Sequence, residues 1–382
     1  MITDLSAVIA CPVCLSSLNE GIGAFVRDLR CKACGRNYPI ADGIARLVIG
    51  GTCRNENEYE KEFRAAVDAR PNLGQWFQKK SSEEQHEWIS GHFKVWSANK
   101  EFHDAEGELY EADKRQVLTC RDAKNQHRIE KNISELARRT GGGHSLDLGC
   151  GTGNMLKFSQ KEYDMAVGVD VSTVLLKLAQ QRYPYVLQAD ILFLPFKLGS
   201  FSMVSAFSVL HHLYEPTQVL VEVSRVLRRG GIFYSDWDPN KRDLAKARIR
   251  WRAFVFLQSV YRMLRRGYAA FHDPADNKFL ELDFLAQRPE LQEVFALAEF
   301  REQGRYAERG ISVDELIDIL SAYGFVTFQT EYHSGGRSLE EYFKDKSIPA
   351  NGRWRLKVQQ WLGYQPNELH ENVMLVAQKG NE

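Results

Sequence analysis

The chain has 382 residues, 44% apolar and 26% charged, and its 50 lysines plus arginines balance 50 aspartates plus glutamates. That length suffices for one large or two modest domains with a real core. The zero formal charge gives no overall basic field of the kind that drives nonspecific nucleic-acid binding.

No apolar run approaches the roughly 18 residues needed to cross a bilayer. No internal repeat or low-complexity tract stands out. Met1–Ala10 lacks the basic start and long apolar run of a signal peptide. The expectation is a soluble, cytoplasmic enzyme.

The first motif along the chain is a cysteine set. Cys11-Pro-Val-Cys14 and Cys31-Lys-Ala-Cys34 are two C-x-x-C knuckles with 16 residues between them. Each knuckle offers two thiolates from one tight turn, and four together can close a tetrahedral zinc site with no open position. A disulfide reading would need an oxidising compartment, and a redox C-x-x-C would normally come singly. Structural zinc is the expected occupant. Cys53 and Cys120 lack partners at ligand spacing and read as ordinary thiols. With its continuation Gly35-Arg-Asn-Tyr38-Pro39-Ile40-Ala-Asp42-Gly43-Ile44, the stretch 1–51 resembles the zinc ribbons related to the activator subunit of several tRNA and protein methyltransferases, here fused in cis.

Residues 52–124 are rich in charge and aromatics (Trp76-Phe77, Trp88, His92-Phe93, Trp96, Phe102-His103, Tyr110), and 54–70 and 112–139 read as helices. Two readings stay open. The aromatics could pack the ribbon onto the C-terminal domain, or part of the stretch could cover an acceptor pocket.

Ser145-Leu-Asp147-Leu-Gly149-Cys150-Gly151-Thr-Gly153 reads as a buried strand breaking into a glycine-rich turn. Alternating glycines suit a loop that takes positive φ or lets a ligand lie on bare main chain. In the dinucleotide fingerprint the third glycine falls one residue later, where this chain has Asn154. A dehydrogenase binding NAD is therefore the weaker reading, separable by titration with each cofactor. Met165–Asp170 is a second strand, with an acidic end 21 positions after Gly149; a carboxylate there matches both hydroxyls of a ribose. Tyr185–Ile191 again carries an aspartate, Asp190, which could instead be a helix N-cap. Phe201–Leu210 runs into His211-His212, and a turn at Leu227–Gly231 leads into Ile232–Asp236. Helical stretches at 154–162, 172–183 and 216–228 alternate with these strands, the pattern of a parallel sheet covered on both faces.

This ordered set resembles the class I S-adenosylmethionine-dependent methyltransferases, in particular the branch with ubiquinone- and menaquinone-biosynthesis enzymes and many natural-product methyltransferases. The resemblance is dense over 125–238. It resumes at Ile311–Phe325, like that fold's last helix and the Gly-Phe before its sixth strand, and at Glu371–Gln378, like its antiparallel closing strand. It implies an α/β, doubly wound, seven-stranded Rossmann-like sheet over 125–382. It also implies residue roles. The loop Gly149, Gly151, Gly153 would hold the methionine moiety, with Asp147 reaching its amino group. Asp170 would bind the ribose and Asp190 the adenine amino group. Ile191 would give a main-chain donor and an apolar wall, and Ser208 would line the methionine side. The acceptor implied is a small molecule, a natural product, quinone or lipid-like compound, with the O-, N- or C-acceptor unresolved.

A helical insertion is expected over about 239–310. Within 241–266 nine basic residues accompany one acidic and an apolar middle. Such a segment can cap an acceptor pocket, lie on a membrane surface, or meet RNA. An RNA acceptor, with the ribbon as a docking element, is the runner-up function, and a noncatalytic cofactor-binding module the third.

Methyl transfer from a sulfonium needs mainly alignment and desolvation of the acceptor. An oxygen acceptor also needs its proton removed. His211 and His212, at the carboxyl edge of the sheet, are the candidates, with Asp236 another; a purely structural role for the two histidines in their turn stays equally open.

Overall fold

The computed structural model describes residues 5–22, 27–50, 56–107, 123–239, 311–333 and 372–380. The insertion from 240 to 310, including its basic segment 241–266, lies outside these residues, as do Cys53, Cys120 and the first part of the helix expected over 112–139.

The centre of the protein is built from short strands buried along almost their whole length. β5 (His144–Leu148), β6 (Met165–Asp170), β7 (Val186–Ala189) and β8 (Phe201–Phe207) are parallel neighbours in the order β7-β6-β5-β8. All six residues of β6 are buried, as expected where helices cover both faces. β9 (Leu227–Pro239) joins β8 in parallel. Beyond it the closing strand β11 (Asn372–Lys379) runs antiparallel between β9 and β10 (Phe325–His333). That antiparallel strand, inserted between the fifth and sixth of the set, sets this sheet apart from the 3-2-1-4-5-6 order of dinucleotide-binding folds.

Helices α4 (Ala123–Thr140) and α5 (Leu156–Glu162) cover one face through Ile129, Ile133, Leu136 and Phe158. α6 (Thr173–Gln180) lies against β6 and β7, and α7 (Pro216–Val226) and α8 (Val313–Ala322) complete the wrapping.

The sheet differs from the seven strands expected. Among the described residues it has eleven, because the N-terminal segment extends it. β1 (Leu18–Ile22), β2 (Arg27–Cys31), β3 (Asn37–Ala41) and β4 (Ile44–Leu47) form an antiparallel meander, and β4 then pairs in parallel with β7, Ala45 opposite Leu187. A β7 left at the edge would expose a row of unpaired N–H and C=O groups; β4 covers it. The joint is reinforced by an Ile9–Phe196 bridge, an Asp42–Lys177 ion pair of 2.7 Å, and one apolar cluster holding Val13, Leu47 and Leu187 together.

A second correction concerns 227–231. The expected turn is strand: Leu227 pairs with Phe201, and a register shift before Met203, with Gly230 at φ +71°, absorbs the glycines as a bulge.

The aromatic stretch forms α1 (Glu56–Asp68), α2 (Pro71–Gln78) and α3 (Ser82–Glu106). Phe63 packs edge-on to Phe193 at 4.9 Å, and Trp88 lies 5.4 Å from Phe63. These rings fill the space between the helices and the segment after β7. α3 opens with a reciprocal cap, Ser81 Oγ accepting from Glu84 N–H and the Glu84 carboxylate from Ser81 N–H. No described helix is long and apolar enough to cross a membrane.

The two cysteine knuckles share a backbone turn. Leu15 N–H donates to Cys11 O and Gly35 N–H to Cys31 O, with φ of +60° and +72°. A side chain at Gly35 would meet nothing within 4 Å, so only the left-handed backbone resists one. Gly35→Ala should therefore cost about 1 kcal/mol in denaturant unfolding. A cost below a few tenths would show that this φ is not enforced.

Candidate functional site

Ligands of open α/β sheets bind outside the carboxyl ends of the strands, and most of the expected site residues gather there. After β5 the chain turns through Gly149, Gly151 and Gly153 at φ +59°, +53° and +93°. A Cβ at Gly153 would lie 2.3 Å from the Tyr183 ring, so this position needs glycine for space as well as for φ. Cys150 is buried and folds back on β6, where a Cβ on Gly168 would sit 2.7 Å from its sulfur.

Asp147, at the penultimate position of β5, is buried and accepts from the Ser205 hydroxyl at 2.8 Å. Burial pushes its pKa up to about 7 against the opposing Ser205 bond, and the neighbouring Asp170 charge adds to the rise. A cation placed against this carboxyl would favour its ionised form and offset the cost of burial.

Asp170 ends β6 and is also buried. One oxygen accepts from Gly151 N–H and the other from Ser172 N–H, both at 2.8 Å. Desolvation raises its pKa; a nearby His103 and the backbone donors oppose the rise.

Asp190 caps the short 3₁₀ turn Ile191–Phe193 by accepting from Leu192 N–H at 2.9 Å. Its other oxygen lies 2.9 Å from His92 Nε2 on α3. The His92 ring stacks on Trp88, 5.4 Å between centroids and 2° from parallel. Ile191 is buried beside it. Ser208, just past β8, is exposed and left-handed at φ +59°, with its N–H donating to Asp236 O.

The first part of the aromatic stretch is core, whereas α3 runs across the carboxyl edge. Besides His92, Asp104 accepts from the Ser172 hydroxyl at 2.7 Å, and Asn99 Nδ2 donates to His212 O at 2.8 Å.

His211 and His212 end the 3₁₀ turn after β8, rings 4.1 Å apart, with His103 of α3 5.7 Å from His212. Asp236 is fully buried on β9 and committed elsewhere. It pairs with Arg128 of α4 at 2.7 Å, accepts from Tyr234 OH at 2.6 Å, and takes the Trp237 N–H at 2.8 Å. The carboxylate that reaches the histidine pair is Asp238, whose Oδ1 lies 2.9 Å from His211 Nδ1. Sequence reading passed over Asp238, although an Asp-x-Asp pair at the end of β9 was the available signal. His92 and Asp104 carried none, since only the path of α3 brings them here.

The sulfurs of Cys11, Cys14, Cys31 and Cys34 all lie within 4.8 Å of one another, with Cys14–Cys31 at 3.3 Å and Cys11–Cys34 at 3.7 Å. Tetrahedral zinc with Zn–S bonds near 2.3 Å asks for sulfurs about 3.8 Å apart. Cys34 N–H points to Cys31 Sγ, and Tyr38 OH lies 3.0 Å from Cys11 Sγ, contacts that support thiolate charge. The donor set fits zinc.

Residues 146–235 match the methyltransferase domain family. This segment is similar to a methyltransferase domain. A protein of Methanocaldococcus jannaschii is 39% identical over 107 residues, covering 28% of this chain and 38% of that protein. A demethylmenaquinone methyltransferase of Lactiplantibacillus plantarum is 37% identical over 98 residues, covering 23% of this chain and 41% of that enzyme. Among solved structures, the complex between the Haloferax volcanii Trm112 methyltransferase activator and a methyltransferase aligns over 73% of this chain and 97% of that chain, at 16% identity and a TM-score of 0.42. The matched stretches span from 38% to 50% of the first curated relatives, so the likeness concerns only part of each of those proteins.

Proposed function

We propose that the protein transfers a methyl group from S-adenosylmethionine to a small-molecule acceptor. The observation that carries this is the buried Asp147 carboxyl beside the left-handed glycine loop, with Asp170 and Asp190 at the ends of the next two strands. In this reading Asp147 faces the cofactor's ammonium group, Asp170 accepts from its ribose, and Asp190 and Ile191 meet its adenine. The loop 149–153 and Ser208 line the methionine end. Bound S-adenosylmethionine supplies a methyl carbon already activated by a sulfonium. The chain's own part is to bind, to exclude water, and to take a proton where the acceptor carries one, for which His211 and His212 are the candidates. Asp236 is less suited, because its charge is held by Arg128. The likeness to a demethylmenaquinone methyltransferase favours a quinone-like or lipid-like acceptor.

Titration calorimetry tests the cofactor reading with a built-in signature. Cation binding favours ionised Asp147, so below about pH 7 binding should release close to one proton, seen as a dependence of the heat on buffer ionisation enthalpy. Affinity should rise with pH and level off above 7. In the free protein the sign is opposite: the raised pKa favours the protonated form, so this group's stabilisation is full below the ordinary value of 3.8 and is lost as pH rises through about 7. Binding of NAD but not S-adenosylmethionine would sink the reading.

The four cysteines are proposed to hold one structural zinc. Because β4 pairs with β7 and the two parts share a core, chelation should lower the unfolding midpoint of the methyltransferase sheet as well as loosening residues 5–50. Metal analysis of purified protein finding no zinc contradicts this.

A further inference from the structure

Asp238 is a fully buried carboxylate with an unusual set of partners. Its Oδ1 accepts from both His211 N–H, at 3.3 Å, and the His211 ring at Nδ1, at 2.9 Å, while Oδ2 accepts from the Ser235 hydroxyl at 3.0 Å. Among the described residues no lysine or arginine pairs with it, so the donors that meet its oxygens there are the His211 main chain and ring and the Ser235 hydroxyl. A buried carboxylate needs such hydrogen bonds.

The backbone is bent to create this pairing. In a regular strand, residues two apart share a face, and Asp236 and Asp238 would point together. Trp237 between them is left-handed, φ +64°, with its N–H held by Asp236 Oδ1. Asp236 goes to Arg128 on α4, and Asp238 goes to the turn after β8. A bulky residue at positive φ is strained and persists where its surroundings over-determine it. Ser208, on the adjacent strand end, is strained in the same sense.

We propose that Asp238 is a positioning residue that fixes His211 with its proton on Nδ1 and its lone pair on Nε2, so that His211 takes the proton of a hydroxyl acceptor such as a phenol or enol. This rests on the methyl-transfer reading above. The acceptor O–H bond breaks and its proton goes to His211 Nε2. The oxygen lone pair forms the new O–C bond, and the C–S electron pair returns to sulfur, giving S-adenosylhomocysteine. The imidazolium, held by Asp238, then loses its proton to water. An amine acceptor would give this dyad less to do, since amines attack with a free lone pair once deprotonated in solution.

Among the described residues, the groups facing His211 include Asp238 of β9 and His212 of its own turn, with His103 and Asn99 of α3 packed on His212. Asp238→Asn keeps an acceptor for both His211 N–H groups and a donor for Ser235, so it preserves shape and removes charge. In nitrogen-15 NMR of the cofactor-free parent, neutral His211 should carry its proton on Nδ1. Its titration should fall by about one pH unit or more in Asp238→Asn. With a panel of phenols, enols and amines, methyl product should form on oxygen. Its kcat should drop about 10–100-fold in Asp238→Asn and more in His211→Gln, with S-adenosylmethionine affinity unchanged by calorimetry. A neutral His211 protonated on Nε2, a titration unmoved by Asp238→Asn, or product on amines at full rate in His211→Gln each overturns the dyad. Failure of the parent to bind S-adenosylmethionine overturns the methyl-transfer reading instead, and the NMR result is independent of it.

Discussion

Replacing Glu222 with glutamine should destabilise the protein by about 3–5 kcal/mol, the cost typical of breaking a buried ion pair from one side. Glu222 on α7 is fully buried between two guanidinium groups. Arg225 donates to it from Nε at 2.7 Å and from Nη2 at 2.8 Å. Arg70 Nε lies 3.0 Å away, near enough for charge pairing though off line for a hydrogen bond. Arg70 is itself buried, donating to Ala66 O, and its guanidinium lies 5.2 Å from the centre of the Phe193 ring. Arg225 donates to Phe196 O and Leu194 O. The carboxylate therefore ties the start of α2 and the 194–196 segment to α7, close to the seam with the ribbon.

Burial alone would raise the Glu222 pKa, but Arg70 and Arg225 outweigh it and hold it below the ordinary 4.5. A depressed carboxyl contributes stability that is present above its unfolded value and lost as pH falls through its folded one. The gap between parent and Glu222→Gln in denaturant unfolding should accordingly be full at neutral pH and close below about pH 4.5. A loss under 1 kcal/mol at pH 7 would mean that the two arginines find other counter-charges.

Asp170→Ala should have a double effect, on cofactor affinity and on the stability of the free protein. As a ribose ligand, Asp170 would contribute on the order of 1.5–3 kcal/mol to cofactor binding through charged hydrogen bonds. The same two oxygens, however, already hold the N–H groups of Gly151 and Ser172, both buried. Alanine leaves these donors orphaned at about 1–3 kcal/mol each, so the cofactor-free protein should also lose about 2–5 kcal/mol of stability. S-adenosylmethionine affinity, measured where the variant is still folded, should fall at least tenfold. Lost affinity with intact stability would remove the loop-clamp role. Lost stability with intact affinity would remove Asp170 from the ribose site.

Much of the architecture was legible in the chain. The strands at 144–148, 165–170 and 201–207 lie where the sequence places them to within a few residues, and the helices 156–162, 173–180 and 216–226 fall within the expected stretches. Local signals suffice there, because a strand buried on both faces and a helix that caps its own first turn are written in consecutive residues. The cysteine knuckles are of the same kind: spacing alone brings two thiols into one turn, and the turns do place four sulfurs within 4.8 Å. The closing strand was found through resemblance, since the order β9-β11-β10 pairs segments far apart in sequence.

What the amino-acid sequence determined by itself was therefore most of the strands and helices between 144 and 239, the glycine loop with its three acidic neighbours, and the spacing of the four thiols. The tertiary structure alone decided the rest. It joined the N-terminal meander to the sheet through β4, because an open edge strand takes whichever partner the fold brings alongside. It laid α3 across the carboxyl edge, so that His92 reaches Asp190 and Asp104 reaches Ser172. And it sent Asp236 to Arg128 and Asp238 to His211. In sequence these two aspartates are equivalent acids two residues apart; the left-handed turn at Trp237 separates them, and that backbone choice is fixed by contacts from other strands and helices rather than by the local residues.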